Sequence, residues 1–145
     1  MTLSILATDK TTKETGRRIL LYLFLTLFFA LLGAVYELFS HGVYSYRMIY
    51  AFGYPLVLGL LPALLMHFYE IRKARSGVPY SKKLPGALSG QIYDCGVFTL
   101  TIGSAARGAL EIYGTTNRLC LIYAPTGCAL ILTGLLLYLI GQKKK

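Results

Sequence analysis

The chain has 145 residues, a formal net charge of +9 and a mean hydropathy of +0.57. Hydrophobic residues make up 55% of it and charged residues only 14%, whereas about 25% of the residues in a soluble domain are charged. This composition disfavours an ordinary water-soluble enzyme, and it excludes a disordered chain, which needs far fewer apolar residues. The length suits a single domain.

Four apolar segments predict an all-α membrane protein with four transmembrane helices arranged as a four-helix bundle. Each segment has about 20 residues, the length that an α-helix needs to cross about 30 Å of hydrocarbon. The alternating pattern of a β-barrel is absent, so helices must satisfy the backbone amides in lipid. The predicted spans are residues 19–39, 48–69, 92–112 and 119–140. The remaining segments are a basic N-terminal segment (1–18), a basic loop (70–91) and a basic tail (141–145), so that the transmembrane domain covers 19–140.

The basic residues predict the orientation of the chain. Twelve of the fifteen Lys and Arg residues lie in the N-terminal segment, the loop and the tail, which share one side if the chain crosses four times. The two short turns on the other side contain only Arg47 and Arg118. Because basic segments stay in the cytoplasm, both termini are expected inside, in a bacterial cytoplasmic membrane. We expect the cations to contact anionic lipid headgroups, and no nucleic acid, since a folded reader and a long basic segment are both absent.

Two parts of the sequence resemble each other and suggest two tandem helical hairpins. Each part places a Glu near the end of its first helix (Glu37 and Glu111), an Arg at the start of its second (Arg47 and Arg118), and then Ile-Tyr-Ala. Parallel repeats of this kind are known in membrane proteins. The Glu-to-Arg spacing is ten residues in one part and seven in the other, so chance similarity between apolar sequences is the alternative.

Glycine and proline positions predict where the helices pack and bend. Gly96 and Gly103 are seven residues apart on the third span, as are Gly127 and Gly134 on the fourth. Lipid offers no hydrophobic driving force between helices, so small residues that let backbones approach mark helix contacts. We therefore expect the third and fourth spans to pack closely along these glycines. Prolines within the spans should start or bend helices and free backbone carbonyls for other partners; they are Pro55, Pro62 and Pro125.

Ionisable residues inside the spans are few and gather at the predicted outer end. Charges in a membrane are costly and usually face the bundle with a partner. Glu37 and His41 are four residues apart, as are Arg107 and Glu111, so each pair shares one helix face; Asp94 lies near the predicted inner edge. We predict a ligand or proton site formed by Glu37, His41, Arg107 and Glu111. The supporting residues are Arg47, Ser104, Asn117 and Arg118.

This cluster allows three interpretations. An outward-facing pocket would make the protein a carrier or channel-like protein for a small polar or ionic solute, acting as a homo-oligomer because four helices are few for a complete pathway. Alternatively, the charges only tie helix ends together in a non-catalytic accessory or assembly subunit of a larger membrane complex. A zinc site from Glu37, His41 and Glu111 is the third interpretation, which the nearby Arg cations disfavour.

An enzymatic function is the least favoured. His41 and His67 lie near opposite ends of their spans and cannot both bind one haem. The chain lacks Cys-x-x-Cys, Gly-x-Ser-x-Gly, His-Glu-x-x-His and a phosphate-binding glycine loop. We therefore expect no cofactor, no metal and no catalytic residue.

Overall fold

A computed structural model describes residues 2–39, 42, 45–75, 87–115 and 118–143. Within these ranges the chain is helical apart from short turns, and no strand is present. Three segments are long and apolar enough to cross a membrane: Lys13–Phe39, Tyr46–Tyr69 and Arg118–Gly141. The described chain is therefore all-helical, and its length and composition are those of a membrane protein.

The helices follow the predicted order. Helix α1 covers Thr2–Phe39. A composite helix, residues 46–75, consists of α2 (Tyr46–Ile49), a 3-10 turn (Tyr50–Phe52), a π-helical segment (Pro55–Leu60) and α3 (Leu61–Arg75). Helix α4 covers Ala87–Ile112, and a 3-10 turn (Arg118–Leu121) leads into α5 (Tyr123–Lys143).

Helical structure extends beyond the predicted spans. Helix α1 begins at Thr2, so most of the N-terminal segment 1–18 belongs to the first helix. Residues 70–75 and 87–91 of the predicted loop are also helical, because the chain has no Gly or Pro between Glu70 and Arg75 to end α3. The rest of that loop, 76–86, lies outside the described residues.

Helix α4 contains the predicted third span, 92–112, and has ionisable residues within it. Its 26 residues would extend about 39 Å, which is enough to cross the hydrocarbon. Asp94, Arg107 and Glu111 reduce its apolarity, and α4 is not among the three segments apolar enough to span. The fourth crossing, and with it the orientation of both termini, stays a prediction.

Helices α4 and α5 pack against each other through their glycines, which confirms the predicted contact. A β-carbon at Gly96 would lie 2.8 Å from the backbone nitrogen of Ile131, and one at Gly134 would lie 2.9 Å from that of Tyr93. Gly103 packs in the same way against the Tyr123 side chain. Only glycine allows this approach, so the spacing of small residues fixes which face of α5 contacts α4.

The core lies where α1, the composite helix and α4 meet. It contains Tyr22, Leu60 and Val97, one from each helix.

The main chain at Met48 is held between two glycines: a β-carbon at Gly33 would lie 3.2 Å from the Met48 carbonyl oxygen, and one at Gly108 would lie 2.6 Å from the Met48 nitrogen. In the proposed repeat Gly33 and Gly108 are equivalent, yet both contact the second helix of the first hairpin. The duplication stays a prediction.

The prolines act as expected. Pro55 is the first residue of the π-helical segment, and Pro125 lies in the first turn of α5, where a missing N–H costs little. Pro62 has no N–H to donate to the carbonyl of Leu58 four residues earlier. The hydroxyl of Tyr93 on α4 donates to that carbonyl instead, at 2.6 Å.

Candidate functional site

Glu111, in the last turn of α4, is the centre of a polar cluster. Its Oε1 lies 2.8 Å from Nε of Arg47 and 3.6 Å from Nε of Arg107. Its Oε2 accepts a hydrogen bond of 2.8 Å from the Ser45 hydroxyl. We call Glu111, Arg47, Arg107 and Ser45 the Glu111 cluster. It ties the end of α4 to the start of the composite helix.

The local sequence explains why these groups meet. Arg107 precedes Glu111 by one helical turn, so the two side chains lie on the same face of α4. Ser45 is the N-cap of α2 and has extended backbone (φ −114°, ψ 112°), but its hydroxyl does not cap the helix. The N–H groups of Met48 and Ile49 donate to the Ser45 carbonyl. Because these N–H groups are satisfied by the carbonyl, the Ser45 hydroxyl is available to donate to Glu111.

Gly108 brings the two helices close enough for these bonds. Any larger side chain there would collide with the backbone of Met48. The contact places α4 against the first turn of the composite helix, so that the hydroxyl of Ser104 donates to the Arg47 carbonyl at 2.9 Å. One turn beyond Gly108, Glu111 then reaches the Arg47 guanidinium.

The cluster is charged and only partly shielded. Two guanidinium groups and one carboxylate leave one net positive charge. The exposed fractions of the side chains are 47% for Arg47, 32% for Arg107 and 34% for Glu111. Exchange of one anion for another at the guanidinium groups is therefore sterically possible without unpacking the helices.

An open groove of about 870 Å³ runs from the cluster between the composite helix and α4. Its polar end is formed by Ser45, Arg47, Ser104 and Glu111. The remainder is formed largely by one face of the composite helix, with Tyr46, Tyr50 and Tyr54 at every fourth position, followed by Val57 and Leu58. The groove is thus charged at one end and aromatic and apolar at the other.

The structure brings together half of the predicted site residues. Arg107 and Glu111 are joined, with Arg47 and Ser104 from the supporting set. Glu37 is exposed near the end of α1 and Arg118 is exposed in its 3-10 turn, and neither lines the groove. His41 and Asn117 lie outside the described residues, so the zinc interpretation, which needs His41, is not tested.

Ser45 and the tyrosines were not among the predicted site residues, and Arg47 was predicted only as a supporting residue. A Ser directly before an apolar helical segment is a recognisable N-cap signal, which points to the position of Ser45 though not to its partner. The four-residue spacing of Tyr46, Tyr50 and Tyr54 was also visible in the sequence.

A second polar cluster lies towards the other end of α4, around Asp94. Its Oδ1 accepts a hydrogen bond of 2.6 Å from the Tyr22 hydroxyl, and its Oδ2 lies 3.5 Å from Nη2 of Arg18. The Arg18 guanidinium also contacts Gly90. Asp94 and Glu111 are seventeen residues apart, which is about 25 Å along the helix. Two polar clusters therefore join α4 to its neighbours at a separation close to the thickness of the hydrocarbon core.

No family model, curated protein or solved structure that was compared with the chain matches it. Function is therefore inferred from the geometry of these residues alone.

Proposed function

We propose that the protein is a multi-pass membrane protein of the carrier or channel-like type that binds a small polar or ionic solute at the Glu111 cluster. The observation that supports this most directly is that Arg47 and Glu111, both partly exposed, form the end of an open groove. A cluster with a purely structural role would be expected to lie in closed packing.

The charge of the cluster favours an anion. One guanidinium is in excess over the carboxylate, and a positive site attracts anionic solutes. In this proposal the anion displaces Glu111 from Arg47, while Glu111 keeps Arg107 and the Ser45 hydroxyl. Because the Arg47–Glu111 bond ties the composite helix to α4, binding then loosens that tie and couples the solute to a helix movement.

The proposed arrangement in the membrane follows the charge pattern. The chain crosses four times as two tandem hairpins, with both termini in the cytoplasm of a bacterium and the Glu111 cluster at the outer face. Val97 and Thr101, between the two polar clusters, are completely buried. A transport pathway is therefore completed by a second copy or a partner subunit, while the basic inner face contacts anionic lipid headgroups.

The alternative, an accessory or assembly subunit, is favoured by a different observation. Both carboxylate oxygens of Glu111 already have partners, and the Asp94 cluster joins α1 to α4 in the same manner. In that case the charges only hold helices together, and co-purification from native membranes in mild detergent would recover the larger complex.

The melting temperature in detergent, measured with chloride, acetate, sulfate and inorganic phosphate, distinguishes the two. We expect at least one of these anions to stabilise the wild type, because a ligand that binds only the folded state raises the melting temperature. Arg47→Ala should abolish this increase. Arg118→Ala, which removes an exposed arginine outside the groove, is the matched control and should retain it. Equal increases in all three proteins, or none in any, would contradict the proposal.

A further inference from the structure

We infer that the groove binds an anionic phospholipid of the surrounding bilayer, with its phosphate at Arg47 and an acyl chain along the tyrosines towards Val57. This inference rests on the proposed function, since it uses the same anion site, and it identifies the ligand as an amphiphile.

The first observation is the polarity of the groove. Its charged end and its apolar end are about 15 Å apart, the distance from Arg47 to Val57 at 1.5 Å per residue. Tyr50 and Tyr54 lie between them, and tyrosine has an apolar ring with a polar tip that suits the boundary between headgroups and hydrocarbon. A small soluble anion needs only the charged end, whereas a phospholipid matches the whole length.

The second observation is that the apolar end continues onto the outer surface of the protein. Val57 lines the groove, and Leu61 and Leu65 follow it at intervals of four residues. The exposed fractions are 55% for Val57, 47% for Leu61 and 64% for Leu65. Large apolar side chains exposed in this way face lipid in a membrane protein. The groove is therefore continuous with the hydrocarbon, and a lipid reaches it sideways from the bilayer.

The third observation is the irregular backbone beside the apolar end. Val57 and Leu58 belong to the π-helical segment Pro55–Leu60, and such segments occur frequently at functional sites. The Leu58 carbonyl accepts a hydrogen bond from the hydroxyl of Tyr93 on α4, so the distortion is held in place from α4. It keeps the wall formed by Tyr54, Val57 and Leu58 in a fixed shape.

Native mass spectrometry of the full chain in detergent tests the inference. The probes are dioleoyl phosphatidylglycerol, dioleoyl phosphatidylcholine and glycerol 3-phosphate, the last representing a headgroup without chains. We expect phosphatidylglycerol to bind the wild type most tightly. Arg47→Ala should weaken it by about tenfold, and so should Val57→Trp, which fills the apolar end. Arg118→Ala and Leu132→Trp are the matched controls and should bind as the wild type does, because Arg118 and Leu132 are exposed and do not line the groove.

Each remaining outcome overturns the inference in a recognisable way. Equal effects of Val57→Trp and Leu132→Trp would indicate unspecific lipid contact. Glycerol 3-phosphate bound as tightly as phosphatidylglycerol, and insensitive to Val57→Trp, would indicate a soluble anion and leave the proposed function standing. A wild-type dimer that excludes lipid and dissociates on Val57→Trp would show that a second copy covers the groove. Binding of every probe that is unaffected by Arg47→Ala would contradict the proposed function as well.

Discussion

The hydroxyl of Tyr93 donates a hydrogen bond of 2.6 Å to the carbonyl oxygen of Leu58, the group that Pro62 leaves without its α-helical donor. The bond joins α4 to the π-helical segment of the composite helix. It satisfies a backbone acceptor that lipid cannot satisfy, and it stands beside the groove that we propose as the ligand site.

Tyr93→Phe should therefore lower the free energy of unfolding by about 0.6 kcal/mol, the average for hydrogen bonds between membrane helices, and by no more than about 1.7 kcal/mol. The measurement is reversible unfolding in detergent. Pro62→Ala restores an N–H at position 62, so Tyr93→Phe should cost less in that background. Tyr138→Phe on α5 is the matched control and should have little effect. An equal cost in both backgrounds would contradict the role given to Pro62.

Gly96→Ala should separate α4 from α5. The added methyl group would lie 2.8 Å from the Ile131 backbone nitrogen, and backbone cannot yield as a flexible side chain does, so a loss of about 1–3 kcal/mol is expected. Gly141→Ala, on α5 with no atom within 4 Å of the added carbon, should be neutral or stabilising, because alanine favours helix. Thermal unfolding in detergent compares the two, and equal melting temperatures would refute the close contact.

Removing Arg18 should destabilise the protein through Asp94. The 3.5 Å ion pair between them links α1 to α4, so Arg18→Ala and Asp94→Asn should be coupled, with a double mutant that loses less than the sum of the single mutants. The coupling measured by unfolding in detergent should be about 0.5–1 kcal/mol, because the Arg18 side chain is 41% exposed. Arg17→Ala removes an exposed neighbouring arginine and serves as the control. Strict additivity for Arg18 and Asp94 would show that the pair contributes nothing.

Ser45→Ala should weaken the tie between the composite helix and α4 and leave the helix start intact. The hydroxyl donates to Glu111 at 2.8 Å and does not cap α2, so a loss of about 0.5–1.5 kcal/mol is expected from one missing hydrogen bond. The loss should disappear when Glu111 is already replaced by Ala. Persistence of the same loss in the Glu111→Ala background would mean that Ser45 acts as a conventional N-cap.

The sequence predicted those features that depend on one helix at a time. Apolar length located all four long helices, and the heptad spacing of Gly96 and Gly103 identified the face of α4 that contacts α5. Arg107 and Glu111 were paired because they are one turn apart on the same helix.

Contacts between helices distant in the sequence could not be predicted from the spacing of residues within one helix. Gly108 packs on Met48, and this single contact makes Arg47 the partner of Glu111. Helical spacing defines the faces of a helix but does not say which helix lies opposite, so Glu37 was placed in the predicted site and Arg47 only among its supporting residues. A pocket at this end of the helices was one of the predicted interpretations, but the residues that line the groove depend on the same helix pairing and could not be predicted.

Labelling of single cysteines from outside the cell tests most directly whether the Glu111 cluster lies at the outer face. In a variant with the three native cysteines replaced by serine, a membrane-impermeant maleimide is applied to intact spheroplasts carrying Thr2→Cys, Thr115→Cys or Lys143→Cys. Four crossings predict labelling at position 115 only, with positions 2 and 143 labelled after the membrane is permeabilised. If α4 does not cross, position 115 would be protected and position 143 labelled from outside, and the outward-facing site would be contradicted.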